Sequence, residues 1–454
     1  MSDRKLFGTD GIRGTANRFP MTCEIAMALG RAVTHYFQTT SKRNKRPLIF
    51  LGKDTRLSCY MLEQAFASGV CSQGGRVVLT GPLPTPGIAF ATQSMRANAG
   101  VMISASHNNF ADNGIKIFDS NGLKLPDSVE LELERMVLDR ELIPIIGGAD
   151  LGSVKRLDEV LGRYIVQVKS TFNASYDLEG IRIVIDCANG AGYKLAPMVF
   201  TELGAEVFSL AVTPDGTNIN DHCGSLHPEF AQEHVHKFRA DVGICLDGDA
   251  DRIAIIDQEG MVIDGDHLIG IFAKMMLDEG HILPGEKVVG TVMSNLGLEH
   301  YVKSLGLEFH RTKVGDRYII EHMNESGAKL GGEPSGHIIF RQYSTTGDGT
   351  LAGLKFLEAM KFYNKTAKEL VGQFALFPQV IKNIHIMHKK AFEDVPAILK
   401  AVKVAEAKLK NKGRVLLRYS GTEPLVRVMV EGEDKNIVDQ LAHDLCDVVK
   451  KELS

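Results

Sequence analysis

The chain has 454 residues, of which 44% are hydrophobic and 24% are charged. This composition is typical of folded globular proteins and disfavours disordered and fibrous classes. Its 52 basic and 56 acidic residues leave a net charge of −4, and because both signs are spread along the chain, no global field attracts nucleic acid or an anionic membrane.

The N-terminal segment MSDRKLFGTDGIRG is polar and glycine-rich, and it lacks the apolar core of a signal peptide. No uncharged apolar run approaches the roughly 18 residues of a membrane span. The seven cysteines are scattered without a CxxC pair, which argues against a disulfide framework and against a structural zinc site. We therefore expect a cytoplasmic protein with buried thiols and with no nucleic-acid or membrane partner.

Three segments follow one plan, in which a short apolar run leads through a polar turn into an amphipathic stretch, a glycine and a second apolar run. They cover residues 47–81, 181–212 and 286–312. The change from strand-like to helical periodicity predicts βαβ units with buried parallel strands. A chain of this length is also too long for a single core. Three related α/β domains are the economical interpretation.

The last 80 or so residues differ, because alternating strand patterns are interleaved with two amphipathic helices. They predict an α+β domain with an antiparallel sheet. The predicted fold class is thus α/β, with three related domains of mixed, mostly parallel sheets and a C-terminal α+β domain around a central cleft. The predicted boundaries give domains 1–155, 156–258, 259–372 and 373–454.

The most informative motif is CLDGDADR, in which Asp247, Asp249 and Asp251 alternate after an apolar run. Gly248 and Ala250 are small enough for the loop to curve. Two carboxylates at 4 Å repel by about 4 kcal/mol at an effective dielectric of 20, so a converging trio needs a cation. Hard oxygen ligands favour Mg²⁺ over zinc or copper. A solvated acidic turn is the alternative. A calcium EF-hand is disfavoured, because this sequence lacks the glycine and the glutamate that an EF-hand requires at its sixth and twelfth positions.

Three further clusters carry candidate chemistry. The segment LRYSGTEPLVR offers guanidinium, hydroxyl and backbone donors that suit a phosphate, or it is an ordinary surface hairpin. In GGEPSGHIIF, a glutamate, a serine and a histidine alternate and could face one side to bind sugar hydroxyls, or form a polar turn. In FGTDGIRG, glycines bracket Asp10 and Arg13 in a tight turn that could equally be an N-terminal loop without a function.

The stretch VMISASHNNFADNGIKIF places Ser104, Ser106 and His107 behind an apolar run. It lacks the glycines of a GxSxG nucleophile elbow. The residues alone do not choose between the two serines. A hydroxyl, an acidic trio, a phosphate cluster and a sugar-type loop in four successive domains together indicate phosphoryl transfer between a serine and a sugar phosphate.

From end to end the chain resembles the α-D-phosphohexomutase family. The motifs that carry the resemblance occur in the family's order: FGTDGIRG, GKDTRLS, PTPG, SASHN followed by ADNGIK, DCANGAG, LDGDADR, VGDRY, GGEPSGH, TTGDG and RYSGTEPLVRVMVEG. Within the family, the FGTDGIRG, VGDRY and TTGDG segments favour the glucosamine branch over the mannose and glucose branch.

The resemblance implies a phosphoserine at Ser106, immediately before the histidine, whose phosphate oxygen would complete a Mg²⁺ shell with Asp247, Asp249 and Asp251. It implies one Mg²⁺ per chain and catalytic roles near the phosphoryl group for Arg13, His107, Lys116 and Arg252. The residues that it implies for the sugar hydroxyls are Glu333, Ser335 and His337. Those that it implies for the phosphate that is not transferred are Arg418, Ser420, Gly421, Thr422 and Arg427.

The implied reaction interconverts glucosamine 6-phosphate and glucosamine 1-phosphate through a 1,6-bisphosphate, on the route to UDP-N-acetylglucosamine. The implied primer is glucosamine or glucose 1,6-bisphosphate, the partner is a small sugar phosphate, and a homodimer is expected. The alternatives are a phosphomannomutase or phosphoglucomutase, a magnesium-dependent sugar phosphatase with an aspartyl nucleophile, and a non-catalytic sugar-phosphate sensor.

Three positions depart from the family pattern. Asn109 stands where proline is usual and can close an Asx turn instead. Ala250 replaces a glycine, at a cost on the order of 1 kcal/mol if that position needs a positive φ. Pro334 lies inside the sugar loop and biases Glu333 toward an extended backbone, which weakens inferences about sugar choice.

Overall fold

The computed structural model describes residues 5–8, 10–40, 45–387, 390–410, 412–419 and 425–453. The chain divides into two compact units, one of residues 1–293 and 306–372 and the other of residues 294–305 and 373–454. Across the described ranges, no helix combines the length and the apolar character needed to cross a membrane.

The first sheet of the larger unit has seven strands in the order β1-β2-β6-β5-β3-β4-β7. The strands are β1 (Phe7–Gly8), β2 (Gly11–Thr15), β3 (Leu48–Lys53), β4 (Arg76–Pro82), β5 (Ala99–Ile103), β6 (Asp112–Phe118) and β7 (Ser153–Arg156). The accompanying helices are α1 (Cys23–Thr40), α2 (Ser58–Ser72), α3 (Thr85–Ser94), α4 (Asp127–Leu138) and α5 (Val160–Lys169). Strand β3 pairs in parallel with β4 and β5, whereas β6 is antiparallel to β2 and β5. Every residue of β5 is buried, as expected of a central strand covered on both faces.

The second sheet has five strands in the order β12-β11-β10-β8-β9. They are β8 (Arg182–Asp186), β9 (Glu206–Leu210), β10 (Val242–Leu246), β11 (Ile253–Asp257) and β12 (Val262–Ile263). Helix α6 (Leu195–Glu202) lies between β8 and β9, α7 (Glu229–Phe238) between β9 and β10, and α8 (Gly265–Asp278) after β12. Strand β10 is parallel to β8 and antiparallel to β11. The loop between β10 and β11 carries the three aspartates, so the buried pair of strands fixes both ends of that loop.

The third sheet has four strands in the order β14-β13-β15-β16. They are β13 (Lys287–Thr291), β14 (Glu308–Thr312), β15 (Leu330–Gly332) and β16 (Ile338–Phe340). The helices in this region of the larger unit are α10 (Asp316–Ser326), α11 (Gly349–Tyr363) and α12 (Ala367–Val371), while α9 (Leu296–Ser304) belongs to the smaller unit. The turn between β15 and β16 carries the predicted sugar loop.

The smaller unit contains an antiparallel sheet in the order β17-β19-β18. Its strands are β17 (Gln379–His385), β18 (Gly413–Tyr419) and β19 (Leu425–Gly432), with helices α13 (Pro396–Leu409) and α14 (Lys435–Leu453). Within this unit, α9 holds the segment before β17: Tyr301 stacks on Phe374 at 4.2 Å between ring centroids. The Phe377 N–H donates to Asn295 Oδ1 at 2.9 Å.

The described elements confirm the predicted class of three α/β sheets followed by an antiparallel α+β domain. The mixed pairing within each of the first three sheets was also predicted. The boundaries near residues 155, 258 and 372 stay proposals, and the second sheet reaches Ile263. The central cleft stays a prediction as well.

Candidate active site

Two serines lie at the start of the loop between β5 and β6, and their environments differ. The Ser106 Oγ donates a hydrogen bond to Asp247 Oδ2 at 2.5 Å, and Ser106 has a left-handed backbone with φ +52°. Ser104 Oγ accepts the Ser106 N–H at 2.9 Å. Ser104 therefore supports the loop, whereas Ser106 presents its hydroxyl to the aspartates.

The same loop contains the Asx turn that the sequence allowed at Asn109. The Asn109 Oδ1 accepts the Ala111 N–H at 3.0 Å. Asparagine thus closes this turn with a side-chain hydrogen bond, whereas proline would favour the turn by fixing φ.

The aspartate loop brings together Asp247, Asp249 and Asp251, all of them buried. One carboxylate oxygen from each lies within 4.8 Å of the others. The Oδ1 atoms of Asp249 and Asp251 are buried with no hydrogen-bond partner among the described residues. Buried carboxylate oxygens without donors are costly unless a cation meets them. The three aspartates can therefore hold a metal ion.

Lys116 lies on β6 of the first sheet, and its side chain contacts the aspartates of the second sheet's β10–β11 loop. Its Nζ lies 2.8 Å from Asp249 Oδ2 and 3.1 Å from Asp251 Oδ2. Burial alone would raise the pKa of Asp251, but Lys116, His337 and Arg252 together outweigh it and hold that pKa well below its ordinary range. Burial, together with the repulsion of the two neighbouring carboxylates, raises the pKa of Asp247 well above its ordinary value. The aspartate that faces Ser106 is thus the one that most needs a further cation.

Arg252 and His107 form a second contact between the two loops. The Arg252 Nη1 donates to His107 Nδ1 at 2.7 Å, and the Arg252 N–H donates to Asp247 Oδ1 at 3.1 Å. Burial and the charges of Arg252 and Arg13 lower the pKa of His107 to about 4. The imidazole is therefore neutral near pH 7, with its proton on Nε2, where it can act as a donor.

Arg13 lies on β2 and pairs with Asp10. Asp10 in turn lies 3.5 Å from the Lys116 Nζ. Burial alone would lower the pKa of Lys116, but the surrounding carboxylates outweigh it and hold that pKa well above its ordinary value. Arg13, Lys116 and the aspartates are thus one connected group of charges.

The sugar-loop residues point in different directions in the structure. Glu333 is buried and its Oε1 accepts the Gly315 N–H at 3.0 Å, whereas Ser335 is exposed. The His337 Nδ1 lies 3.7 Å from Asp251 Oδ1, so the histidine adjoins the aspartate loop. Pro334 occupies the second position of a turn closed by the Gly336 N–H on the Glu333 carbonyl at 3.0 Å, a position that suits its fixed φ.

In the smaller unit, Arg418 on β18 lies directly opposite Arg427 on β19 in the antiparallel register. Residues directly opposite each other in an antiparallel pair place their side chains on the same face of the sheet, so the two arginines share one face. Ser420, Gly421 and Thr422, which complete the predicted phosphate site, lie outside the described residues.

Several residues of this region were not predicted to have a role. Thr85, from the PTPG motif, donates through Oγ1 to Asp249 Oδ2 at 2.5 Å. Lys124 pairs with Asp10 and lies 2.7 Å from Asp316 Oδ2. Arg56 and Asn220 contact the backbone of the serine loop. The sequence signal for Thr85 and Arg56 was their place in the motifs PTPG and GKDTRLS, to which no chemistry had been assigned.

Comparisons with known proteins agree with this arrangement. Four family models match the chain in order, described as phosphoglucomutase/phosphomannomutase alpha/beta/alpha domain I over residues 4–142, domain II over 162–260, domain III over 264–377 and the C-terminal domain over 382–448. The chain belongs to the phosphoglucomutase/phosphomannomutase family. The predicted membership of the α-D-phosphohexomutases is thereby confirmed.

Relatives in this family match the chain over its whole length. The chain is 51% identical over 454 residues to the phosphoglucosamine mutase of Desulfovibrio desulfuricans, with 100% of both chains covered. It is 51% identical over 451 residues to that of Pelobacter propionicus, with 99% of each covered.

Solved structures of this family share the fold at lower identity. A phosphoglucomutase/phosphomannomutase family protein from Burkholderia thailandensis matches with a TM-score of 0.81 at 24% identity, covering 99% of this chain and 98% of that one. The Aspergillus fumigatus N-acetylphosphoglucosamine mutase, solved with GlcNAc-6P and magnesium, matches with a TM-score of 0.70 at 17% identity, covering 99% and 96%.

Proposed function

We propose that this chain interconverts glucosamine 6-phosphate and glucosamine 1-phosphate through a phosphoserine at Ser106 and glucosamine 1,6-bisphosphate. The observation that carries the mechanism is the Ser106 Oγ, 2.5 Å from Asp247 Oδ2 at the edge of the acidic trio. The choice of glucosamine is supported by the full-length relatives, which are named phosphoglucosamine mutases at 51% identity.

In the forward direction, phosphoserine 106 gives its phosphoryl group to O1 of glucosamine 6-phosphate. The bond between phosphorus and Ser106 Oγ breaks and a bond between phosphorus and O1 forms, while O1 loses a proton and Ser106 Oγ gains one. The 1,6-bisphosphate then turns around, and its 6-phosphoryl group returns to Ser106, leaving glucosamine 1-phosphate. No net phosphate is consumed, so the enzyme ends the cycle phosphorylated.

The metal site would be built from Asp247, Asp249, Asp251 and a phosphate oxygen on Ser106, and we propose one Mg²⁺ per chain. The unpartnered Oδ1 atoms of Asp249 and Asp251 fit a hard cation. A bound Mg²⁺ would neutralise charge that develops on the phosphoryl oxygens.

The remaining roles follow from the geometry and the family resemblance. Arg252 bridges His107 and Asp247, and we assign it to contact the phosphoryl group. Lys116, Arg13 and the neutral His107 lie beside the reacting groups, and we assign them to the proton exchange between O1 and Ser106 Oγ.

Two substrate-binding groups complete the proposal. Glu333, Ser335 and His337 are assigned to the sugar. Arg418, Ser420, Gly421, Thr422 and Arg427 are assigned to the phosphate that is not transferred. The opposite register positions of Arg418 and Arg427 support that second assignment, because guanidinium groups bind phosphate well.

The family resemblance also supports three further assignments. They are priming by glucosamine or glucose 1,6-bisphosphate, a homodimer, and a cytoplasmic location. Priming is expected because an unphosphorylated Ser106 has no phosphoryl group to give to the first substrate molecule.

The test is a comparison of kcat/KM for glucosamine 6-phosphate, glucose 6-phosphate and mannose 6-phosphate, with the phosphorylated enzyme and Mg²⁺. We expect the highest value for glucosamine 6-phosphate, and a preference for mannose 6-phosphate would overturn the assignment. Release of inorganic phosphate in the same reactions separates a mutase, for which it should be a slow side reaction, from a sugar phosphatase. A complete lack of turnover would indicate a sugar-phosphate sensor instead.

A further inference from the structure

The backbone of the serine loop is held by two side chains that do not face the acidic trio. The carbonyl oxygen of Ser106 accepts hydrogen bonds from Arg56 Nη2 at 2.8 Å and from Asn220 Nδ2 at 2.9 Å. We propose that Arg56 and Asn220 are positioning residues that hold phosphoserine 106 in its transferring geometry. This inference rests on the proposed function, since it assumes that Ser106 carries the phosphoryl group.

Arg56 is fully buried, and both terminal nitrogens of its guanidinium group donate to the serine loop. Beyond Ser106, it donates to the carbonyl oxygens of Asn108 at 2.9 Å and Asp112 at 3.2 Å, and to that of Asn109. Its Nε donates to Asp54 Oδ2 at 2.8 Å, which balances its charge inside the protein. The planar fork of arginine matches several acceptors at once, and an ammonium group cannot replace it.

Asn220 comes from a different part of the fold, the segment between β9 and α7, which belongs to the same region as the sheet whose β10–β11 loop carries the aspartates. Its Nδ2 donates to the carbonyl oxygens of Ser106 and Asn108, at 2.9 Å in each case. Its own N–H donates to the Ala188 carbonyl at 2.9 Å. Two loop carbonyls are therefore shared between Arg56, from one sheet region, and Asn220, from the other.

Two nearby contacts show how closely the two regions meet. A Cβ atom at Gly248 would lie 2.5 Å from the Ser106 carbonyl oxygen, so the serine loop sits directly on the aspartate loop. On either side of Arg56, the Thr55 Oγ1 donates to the Asn189 carbonyl at 2.5 Å and the Leu57 N–H donates to the Gly216 carbonyl at 2.8 Å. The segment that carries Arg56 is thus itself fixed to the aspartate side.

This arrangement explains how Ser106 keeps its unusual backbone. A serine with φ +52° persists only where its surroundings determine it. If the donors are removed, the loop can relax and the Ser106 Oγ moves relative to Asp247. Because a displacement of about 1 Å from the reactive geometry costs on the order of 100-fold in rate, the chemical step should suffer while sugar binding does not.

The decisive variant is Asn220→Gly. Asn220 has φ +56°, and glycine adopts that conformation without strain while it removes the amide donors. Asn364→Gly is the matched control, because Asn364 has φ +50° and is an exposed residue at the end of α11. Steady-state kcat and KM are measured for each variant with Mg²⁺, together with the rate at which glucose 1,6-bisphosphate phosphorylates Ser106 and the thermal unfolding midpoint.

For Asn220→Gly we expect kcat and the rate of Ser106 phosphorylation to fall at least tenfold, with KM for the sugar phosphate within twofold of wild type and an unchanged unfolding midpoint. The control should match wild type in every measurement. An unchanged kcat would overturn the proposal. A fall in kcat accompanied by a lower unfolding midpoint than that of the wild type would overturn it as well, because general destabilisation would then explain the loss.

Arg56→Lys provides a second measurement on the same loop. It keeps a cation beside Asp54 but cannot reach all the carbonyls, so we expect a larger fall in kcat with KM again within twofold; an unchanged kcat would count against the proposal. Wild-type enzyme that takes up no phosphoryl group on Ser106 would contradict the proposed function itself. That result is separate from the effect of either variant.

Discussion

The serine loop and the aspartate loop each contain one non-glycine residue with a left-handed backbone. These residues are Ser106 at φ +52° and Ala250 at φ +56°. The serine loop is held there by side-chain donors, those of Arg56 and Asn220. The backbone carbonyl groups of the aspartate loop instead accept hydrogen bonds from backbone donors.

The N–H groups of Ala191, Thr85 and Gly349 donate to the carbonyls of Gly248, Asp249 and Ala250 at 2.8, 3.0 and 3.0 Å. A loop held by backbone donors tolerates changes of side chain at its turn. A loop held by side chains depends on particular residues at a distance.

The largest effect is expected from Asp249→Asn, which removes one charge from the acidic trio. We expect kcat to fall on the order of 1,000-fold and Mg²⁺ activation to weaken, because a divalent cation contributes several kcal/mol of charge stabilisation in the transition state. Titration of activity with Mg²⁺ checks this result. Asp221→Asn, an exposed site, is the control, and an Asp249→Asn enzyme with unaltered Mg²⁺ dependence would refute the shared metal site.

The second largest effect is expected from Lys116→Met. This variant separates the contribution of charge pairing from that of backbone hydrogen bonds to the stability of the aspartate loop. Without Lys116, the carboxylates of Asp249 and Asp251 lose the buried cation that lies 2.8 and 3.1 Å away. We expect the free energy of unfolding in the absence of Mg²⁺ to fall by about 3–5 kcal/mol, the usual cost of leaving a buried charge unpaired.

Urea unfolding with and without Mg²⁺ measures this loss, and added Mg²⁺ should restore part of it. Lys194→Met, at an exposed position, should leave stability unchanged. If Lys116→Met were as stable as wild type without Mg²⁺, the charges would not be coupled as described.

The smallest effect is expected from glycine at Ala250, one of the two left-handed positions. Ala250→Gly should stabilise the protein by up to about 1 kcal/mol and leave kcat within twofold, because glycine relieves the positive φ. Ser106→Gly, by contrast, should abolish activity, and the relief of its positive φ should be offset by the loss of the buried hydrogen bond to Asp247. Urea unfolding and steady-state assays check both variants, and a large loss of activity in Ala250→Gly would show that the two loops do not differ as argued.

The sequence predicted this site well where the chemistry is local. The alternation of Asp247, Asp249 and Asp251 predicted a converging trio, and the structure brings their oxygens within 4.8 Å. The Asx turn at Asn109 and the left-handed backbone at Ala250 were likewise anticipated from single residues. The fold class was predictable for the same reason, because helix and strand periodicity is a local property.

Prediction failed where a role depends on a distant backbone atom. Arg56 and Asn220 act on carbonyl groups that any residue type would supply, so no pattern in the sequence links them to Ser106. The neighbouring residues alone did not distinguish Ser104 from Ser106. The left-handed backbone of Ser106 decides which hydroxyl faces Asp247, and the sequence does not reveal that conformation. The grouping of Glu333, Ser335 and His337 around one sugar stays a prediction, because the three residues differ in burial and in neighbours. The structure exposes Ser335 and turns His337 toward Asp251.

The most direct test of the mechanism is the intact mass of the protein before and after incubation with a sugar 1,6-bisphosphate and Mg²⁺. We predict one phosphoryl group on the wild type and on Ser104→Ala, and none on Ser106→Ala. A phosphoryl group that persists in Ser106→Ala, or that maps to Asp247 or Ser104, would contradict the account.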